Sequence, residues 1–355
     1  MRIAVDCRYV RIDHHDGISR YTAGLVGALA DLHPVTMIIS DERQLRMLPD
    51  LPSFRVSGPT SAREPLVARQ VNRLAPDVVF SPMQTMGTWG RRYGLVLTLH
   101  DLIYYRHATP PRDLPAPIRL LWRLYHLAWW PQRVLLDRAD AVVTVSATTA
   151  GLIAEHRLTR RPVTVVPNAA DPLPAAVSDA PGRRLVYMGS FMPYKNVDVL
   201  VRAAGALPDH ELHLMSRCSP AEQARLRALA PAARLVFHDG ASDAEYAAAV
   251  RGATALVSAS RDEGFGIPLV EAMGAGTPVV VSDIPVFREV GADAGAYVDP
   301  DDVDGFVAAI RALDDPAVRA ARGEAARRRA EHYSWASSAR ALLELLERTA
   351  QQHRT

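Results

Sequence analysis

Cysteine is nearly absent from this sequence: Cys7 and Cys218 are the only two in 355 residues, each in an apolar or strand-like setting and far apart in the chain. That excludes a disulfide framework and a zinc site, and a reducing cytoplasm is the expected compartment. Long apolar runs are missing too. No uninterrupted stretch reaches the roughly 18 residues that a membrane span needs. Met1-Arg2-Ile3-Ala4-Val5-Asp6 enters a strand at once, without the apolar core or cleavage site of a secretion signal. Charge of one sign is also lacking: the formal net charge is +2, so nucleic acid is not expected as the main partner. No Gly-x-Gly-x-x-Gly follows the first strand, where the chain reads Asp6-Cys7-Arg8-Tyr9-Val10; a nicotinamide-dependent oxidoreductase is set aside on that ground. No Asp-x-Asp follows a strand where a metal would serve. Asp299-Pro300-Asp301-Asp302-Val303-Asp304 reads instead as a turn and a helix start, because Asp favours caps and first turns. No metal and no other cofactor is expected.

Strand-like and helical runs alternate along the whole chain. Strand candidates are Ile3–Asp6, Val35–Ser40, Asp77–Ser81, Leu95–Leu99, Ala141–Ser146 and Val163–Val166, with helical runs such as Ile18–Leu32 and Pro65–Leu74 between them. After the Pro-, Ala-, Ser- and Asp-rich stretch Pro172–Gly182 the alternation restarts with Arg184–Met188, Glu211–Met215, Arg234–His238, Thr254–Ser258, Pro278–Ser282 and Ala296–Asp299. This pattern predicts two α/β domains with parallel, doubly wound sheets. The expected boundaries are 1–171 for the first domain, 172–183 for a linker, 184–333 for the second domain, and 334–355 for a final helix that crosses back to the first.

The second half centres on Ser260-Arg261-Asp262-Glu263-Gly264-Phe265-Gly266-Ile267-Pro268-Leu269-Val270-Glu271-Ala272-Met273-Gly274-Ala275-Gly276-Thr277-Pro278. The apolar run before it reads as a buried strand, Gly264 and Gly266 permit a turn with positive φ, and Pro268 suits the first position of a helix. Amides around Gly266 to Leu269 would then form the positive end of that helix, an anion site. Glu271, expected in its first turn, can accept hydrogen bonds from a vicinal diol. Glu263 would sit at the carboxyl end of the strand, where open α/β sheets bind ligands. The plainer alternative makes Glu271 a complement to the helix dipole and Glu263 a solvated loop charge.

The spacing of Glu263 and Glu271 and the residues after them resemble the E-x7-E signature of retaining, family-4-type GT-B glycosyltransferases, and overall the chain looks like bacterial α-mannosyltransferases. The resemblance implies two Rossmann-like doubly wound domains with a cleft between them. It also implies transfer of a hexose from a nucleotide sugar to an acceptor hydroxyl on a glycan or lipid-linked sugar, in the cytoplasm or at the inner face of the membrane. GDP-mannose is the first choice of donor and a UDP-hexose the alternative. A catalytically silent nucleotide-sugar-binding partner is the rival from another class. In such enzymes the second Glu, here Glu271, holds the ribose and the first, Glu263, lies beside the transferred sugar, with Gly264, Phe265, Gly266 and Ile267 along the donor. The donor phosphate is thought to help deprotonate the acceptor, so no protein nucleophile is implied.

Further motifs fit this reading. In Tyr187-Met188-Gly189-Ser190-Phe191-Met192-Pro193-Tyr194-Lys195 a strand, a glycine turn and a lysine before a helix would neutralise a diphosphate leaving group. Similar proteins have an arginine where Ser190 stands; Arg261 or Arg20 is the expected substitute. Leu97-Thr98-Leu99-His100-Asp101 places His100 at a strand end, where it can bond a sugar hydroxyl, with Asp101 able to orient or charge-stabilise the imidazole. Gly17, which opens the first helix, and Arg20 are carried over as facing the donor diphosphate and the acceptor. Adjacent His14 and His15 read as solvated. Ala169 replaces a usual glycine, which puts the local backbone geometry in question. Between Pro110 and Asp140 the chain is dense in Leu, Trp and Arg. This stretch reads first as a long helix packed on the sheet with a charged outer face, and a helix lying on an anionic membrane surface is the alternative.

Overall fold

The computed structural model describes residues 1–13, 16–109, 116–173 and 183–354. His14, His15 and residues 174–182 of the expected linker lie outside them. The chain divides into two compact units. One is Met1–Ala169 with the tail from Tyr333, and the other is Ala170–His332.

The first unit is a seven-stranded sheet in the order β3-β2-β1-β4-β5-β6-β7. Its strands are β1 (Ile3–Asp6), β2 (Val35–Ile39), β3 (Ser53–Arg55), β4 (Val78–Ser81), β5 (Gly94–Leu99), β6 (Ala141–Thr144) and β7 (Val163–Val165). All pairings are parallel, and Ile3 lies opposite both Val35 and Val78. Continuous apolar runs are what a sheet covered on both faces requires, and every residue of β1, β4 and β5 is buried. Ala4, Ile38, Val79, Leu95 and Leu97 form a core with Val67, Ala68 and Val71. The helices Gly17–Ala30 and Trp335–Arg354 pack together, and the second also covers β4 and β5. Gly24 makes that contact close, since a Cβ there would stand 2.3 Å from the Trp335 indole.

The second unit is a six-stranded parallel sheet in the order β10-β9-β8-β11-β12-β13. It comprises β8 (Arg184–Tyr187), β9 (Glu211–Leu214), β10 (Arg234–Phe237), β11 (Ala255–Ser258), β12 (Val279–Ser282) and β13 (Gly295–Val298). Leu185, Leu212, Val257 and Val280 pack against Val199, Leu200, Phe306 and Ile310 of the covering helices. Strand order reverses between β1 and β4 in one unit and between β8 and β11 in the other. In an open α/β sheet these reversals are where ligands bind, beyond the carboxyl ends of the strands.

Several expectations need correction. β3 was not foreseen, because Ser53–Arg55 is a three-residue edge strand with two exposed positions and carries no apolar run. The helix expected over Pro65–Leu74 is broken: Glu64–Leu66 and Asn72–Leu74 are 3-10 turns around a short helix Val67–Val71. Ala169 is buried and has no positive φ, so the missing glycine brings no backbone strain. The Trp/Arg-rich stretch is not one long helix, and its outer face carries exposed leucines beside the exposed Arg123 and Arg133. It forms the helices Ala116–His126 and Trp130–Leu136, with leucines exposed on the first. No described helix is long and apolar enough to cross a membrane.

Candidate functional site

In the second unit the loop after β11 and the turn after β8 are joined by one polar cluster. Lys195 Nζ lies 2.5 Å from Glu263 Oε1, with both side chains largely buried. The same carboxylate oxygen accepts from Ser260 Oγ at 2.8 Å, and Ser260 is fully buried. Lys195 ends a short 3-10 turn, Pro193–Lys195, which Asn196 closes in the left-handed conformation at φ 51°. The strained residue is braced: its side-chain amide donates to the Pro300 carbonyl at 2.6 Å and to Asp301 at 3.2 Å. Arg261 ties the two segments from the other side, through its backbone N–H to the Tyr194 carbonyl at 2.8 Å, its guanidinium to the Pro193 carbonyl at 3.3 Å, and an ion pair with Asp301. Arg261 therefore acts first as a brace. Ser190, the place of the expected arginine, is exposed, and its carbonyl accepts from the Tyr187 hydroxyl at 2.6 Å.

The helix after Glu263 runs Ile267–Gly274 and starts from Gly266 at φ +99°. Pro268 is thus its second residue, and Glu271 its fifth, in the second turn rather than the first. The shift follows from Gly266, whose left-handed backbone begins the helix one residue early. Glu271 is buried, at 5% exposure, and is no solvated dipole complement. Leu269 N–H is already bonded to the Gly266 carbonyl at 3.0 Å, and Pro268 has no N–H. Among the described residues the open amides at this end are those of Gly266 and Ile267, fewer than expected. Phe265 is buried and Gly264 half-buried on the approach to them.

In the first unit, His100 follows β5. Its Nε2 lies 2.7 Å from the Pro82 carbonyl; a carbonyl only accepts, so Nε2 carries the hydrogen and Nδ1 is left as an acceptor. Burial pushes its pKa below the ordinary histidine value, against the opposing pull of the Pro82 bond and the charge of Asp16. The edge of Tyr21 packs on the ring with centroids 5.1 Å apart. Asp101, expected as the orienting group, accepts from Ile103 N–H at 3.0 Å, just before the helix Ile103–Arg106. Pro82, distant in sequence, does the orienting.

Gly17 is the first residue of the helix Gly17–Ala30, and Arg20 lies one turn on. The amide end of this helix is already capped: the Asp16 carboxylate accepts from Ser19 N–H and Ser19 Oγ, each at 2.8 Å, and from Arg11 Nε at 2.8 Å. Burial alone would raise the Asp16 pKa, but the Arg11 and Ser19 bonds outweigh it and hold the carboxyl below its usual range. Asp16 therefore holds one amide of this helix end, that of Ser19, and sets a carboxylate beside Gly17.

Two features escaped the reading by motif. At the end of β1, buried Arg8 bonds Asp6 through Nε at 2.8 Å and Nη2 at 3.0 Å, and reaches Glu64 at 2.5 Å. A charged pair so close to a strand reversal is visible only once the fold brings Glu64 in. The other was plain in the composition: Lys195 is the single lysine among 41 Lys and Arg residues.

Comparison with known proteins adds what geometry does not. Residues 15–172 match the family model described as Glycosyltransferase Family 4, and residues 175–329 match that of Glycosyl transferases group 1. The phosphatidyl-myo-inositol mannosyltransferase of Mycolicibacterium smegmatis is 37% identical over 187 residues, covering 48% of this chain and 48% of its own. The O-antigen chain mannosyltransferase RfbU of Salmonella typhimurium is 30% identical over 188 residues, covering 51% of this chain and 53% of its own. The chain thus spans about half the length of these relatives. Among solved structures, sucrose-phosphate synthase from Thermosynechococcus elongatus has a TM-score of 0.75 at 20% identity, covering 98% of both chains. Anabaena Alr3699/HepE in complex with UDP and glucose has a TM-score of 0.73 at 17% identity, covering 98% of this chain and 99% of that one. Likeness of this kind shows a shared fold, the two-domain α/β arrangement of GT-B.

Proposed function

The chain carries a Glycosyltransferase Family 4 domain followed by a Glycosyl transferases group 1 domain in a GT-B fold, and on that premise we propose that it transfers a hexose, with retention, from a nucleotide sugar to an acceptor hydroxyl on a glycan or lipid-linked sugar. The observation that carries the reading is the cluster of Lys195, Glu263 and Ser260 on the loop that leads to the open amides of Gly266 and Ile267, where the order of β8 and β11 reverses. An ammonium has three donors, and Glu263 uses one, which leaves two for the oxygens of a diphosphate. The charge on a departing diphosphate grows in the transition state, so a fixed ammonium and fixed amides lower the barrier without reorganising. We assign the ribose to buried Glu271 and the transferred sugar to Glu263. Neutral His100, with Nδ1 as acceptor, is assigned to a substrate hydroxyl. We assign to the Lys195 ammonium the neutralisation of the departing diphosphate, and we expect transfer to proceed unchanged in EDTA.

GDP-mannose is the donor we assign, supported by relatives named as mannosyltransferases. Thermal-shift and calorimetric binding of GDP-mannose, UDP-glucose, UDP-galactose and UDP-N-acetylglucosamine tests this, with Glu271→Ala as the control. Glu271→Ala is expected to weaken binding by about 1–3 kcal/mol, the size of lost charge-assisted hydrogen bonds. Preference for a uridine donor would move the assignment to a UDP-hexose. Binding of a donor with no hydrolysis or transfer would favour a silent nucleotide-sugar-binding protein, and no binding at all would overturn the reading.

A further inference from the structure

The helix Ala116–His126 is apolar on the side turned away from the protein. On the opposite side Trp122 meets Tyr104 edge-on with centroids 5.1 Å apart, and His126 meets Tyr105 at 4.9 Å. Just beyond the helix, Trp129 stacks on Tyr105 and on His156, each at 4.1 Å. Half a turn away, Leu120, Arg123, Leu124 and Leu127 recur at the spacing of one helix face. The three leucines are 60%, 55% and 77% exposed. Leu121 and Trp130, at 67% and 65%, widen the same surface. Single exposed leucines need no account, but this many large apolar side chains on one helix and the turn after it mark an interaction surface.

The charge pattern selects the occupant. From Ala116 to Leu136 the sequence has no Asp or Glu, while Arg119, Arg123 and Arg133 stand among the leucines and tryptophans. Long arginine stems lie along apolar surface and keep their heads in a polar layer, and Trp favours the boundary between acyl chains and headgroups. We propose that this face docks the protein on an anionic lipid bilayer, with Leu120, Leu124, Leu127 and Trp130 toward the acyl boundary and the arginines at the headgroups. Tyr104 and Tyr105, which hold the docking helix, follow His100 by a few residues at the same end of the sheet. A lipid-anchored acceptor would therefore reach the bilayer side of His100. That last step rests on the proposed transfer reaction, whereas the docking itself does not.

Cosedimentation with vesicles tests it, using phosphatidylcholine mixed with phosphatidylglycerol against phosphatidylcholine alone. The unaltered protein is expected to bind the anionic vesicles and to be released by salt. Leu120→Ser/Leu124→Ser/Leu127→Ser is expected to weaken that binding about tenfold or more while leaving the far-UV spectrum and donor affinity unchanged. Arg123→Gln/Arg133→Gln removes the preference for anionic lipid and keeps the apolar face, so the proposal stays testable if the leucine variant fails to fold. No binding of the unaltered protein, or equal binding by the variants, overturns it. So does a dimer that the leucine variant dissolves in the absence of vesicle binding.

Discussion

Lys195 and Glu263 form a largely buried ion pair, Nζ to Oε1 at 2.5 Å, across two loops 68 residues apart in sequence. The pair fixes the ammonium before any ligand arrives, as a preorganised leaving-group site requires. Lys195→Ala is therefore expected to lower turnover by about 100-fold or more, with a smaller effect on donor affinity. Lys195→Arg keeps the charge but replaces a compact ammonium with a planar fork, and it should rescue only part of the loss. Steady-state kinetics alongside donor calorimetry separates the two effects. Equal, small losses in kcat and affinity would sink the assignment.

Gly266 holds φ +99°, and a Cβ there would stand 2.9 Å from Phe287 Cε1. Gly266→Ala should destabilise the second unit by about 1–3 kcal/mol and displace the amide end it leads into. Chemical denaturation followed by far-UV circular dichroism reads the first effect, and donor binding the second. Full retention of both would show that the turn tolerates a side chain.

His100 gives a pH dependence of known sign. Its folded pKa is depressed by burial, so in the window just below about 6.5, the unfolded value, the unfolded chain binds the proton more readily than the native one. Stability from this group is complete above that value and is lost as pH falls through it toward the folded pKa. Trp89, Trp122, Trp129, Trp130 and Trp335 all lie in the first unit, so their emission follows the unit that contains His100. Denaturation midpoints at pH 7.5 and 5.5 should differ less in His100→Gln than in the unaltered protein. An unchanged difference would remove His100 as the source.

Asp6→Ala would leave the Arg8 guanidinium buried, with Glu64 as its remaining carboxylate. Both side chains of the Asp6–Arg8 pair have 0% exposure, and breaking such a pair costs about 3–5 kcal/mol. Asp6→Ala/Arg8→Met removes the stranded charge and should recover part of that loss. Guanidinium denaturation monitored by tryptophan emission measures both. A double variant no more stable than the single one would argue against the charge as the cause.

The sequence was most legible where burial is continuous. The apolar runs of β1, β4, β5, β11 and β12 announced buried parallel strands, and the two glycines before Ile267 announced a turn into a helix. It was least legible where one residue's role depends on another far away in the chain. Asp101 stands next to His100, yet the imidazole is held by Pro82. Gly17 opens a helix, yet Asp16 already bonds one of the amides at its end. The helix Ala116–His126 shows a further limit: its leucines and aromatics lie on opposite faces, and periodicity alone cannot tell which one turns inward.

The lone lysine gives the protein an unusual address system. The only ε-amine belongs to the second unit, so mass spectrometry of digested protein treated with an amine-reactive dye separates labelling at Lys195 from labelling at the Met1 α-amine. Donor binding would shield the ε-amine from the dye, so the rate of labelling at Lys195 would report occupancy of the candidate donor site.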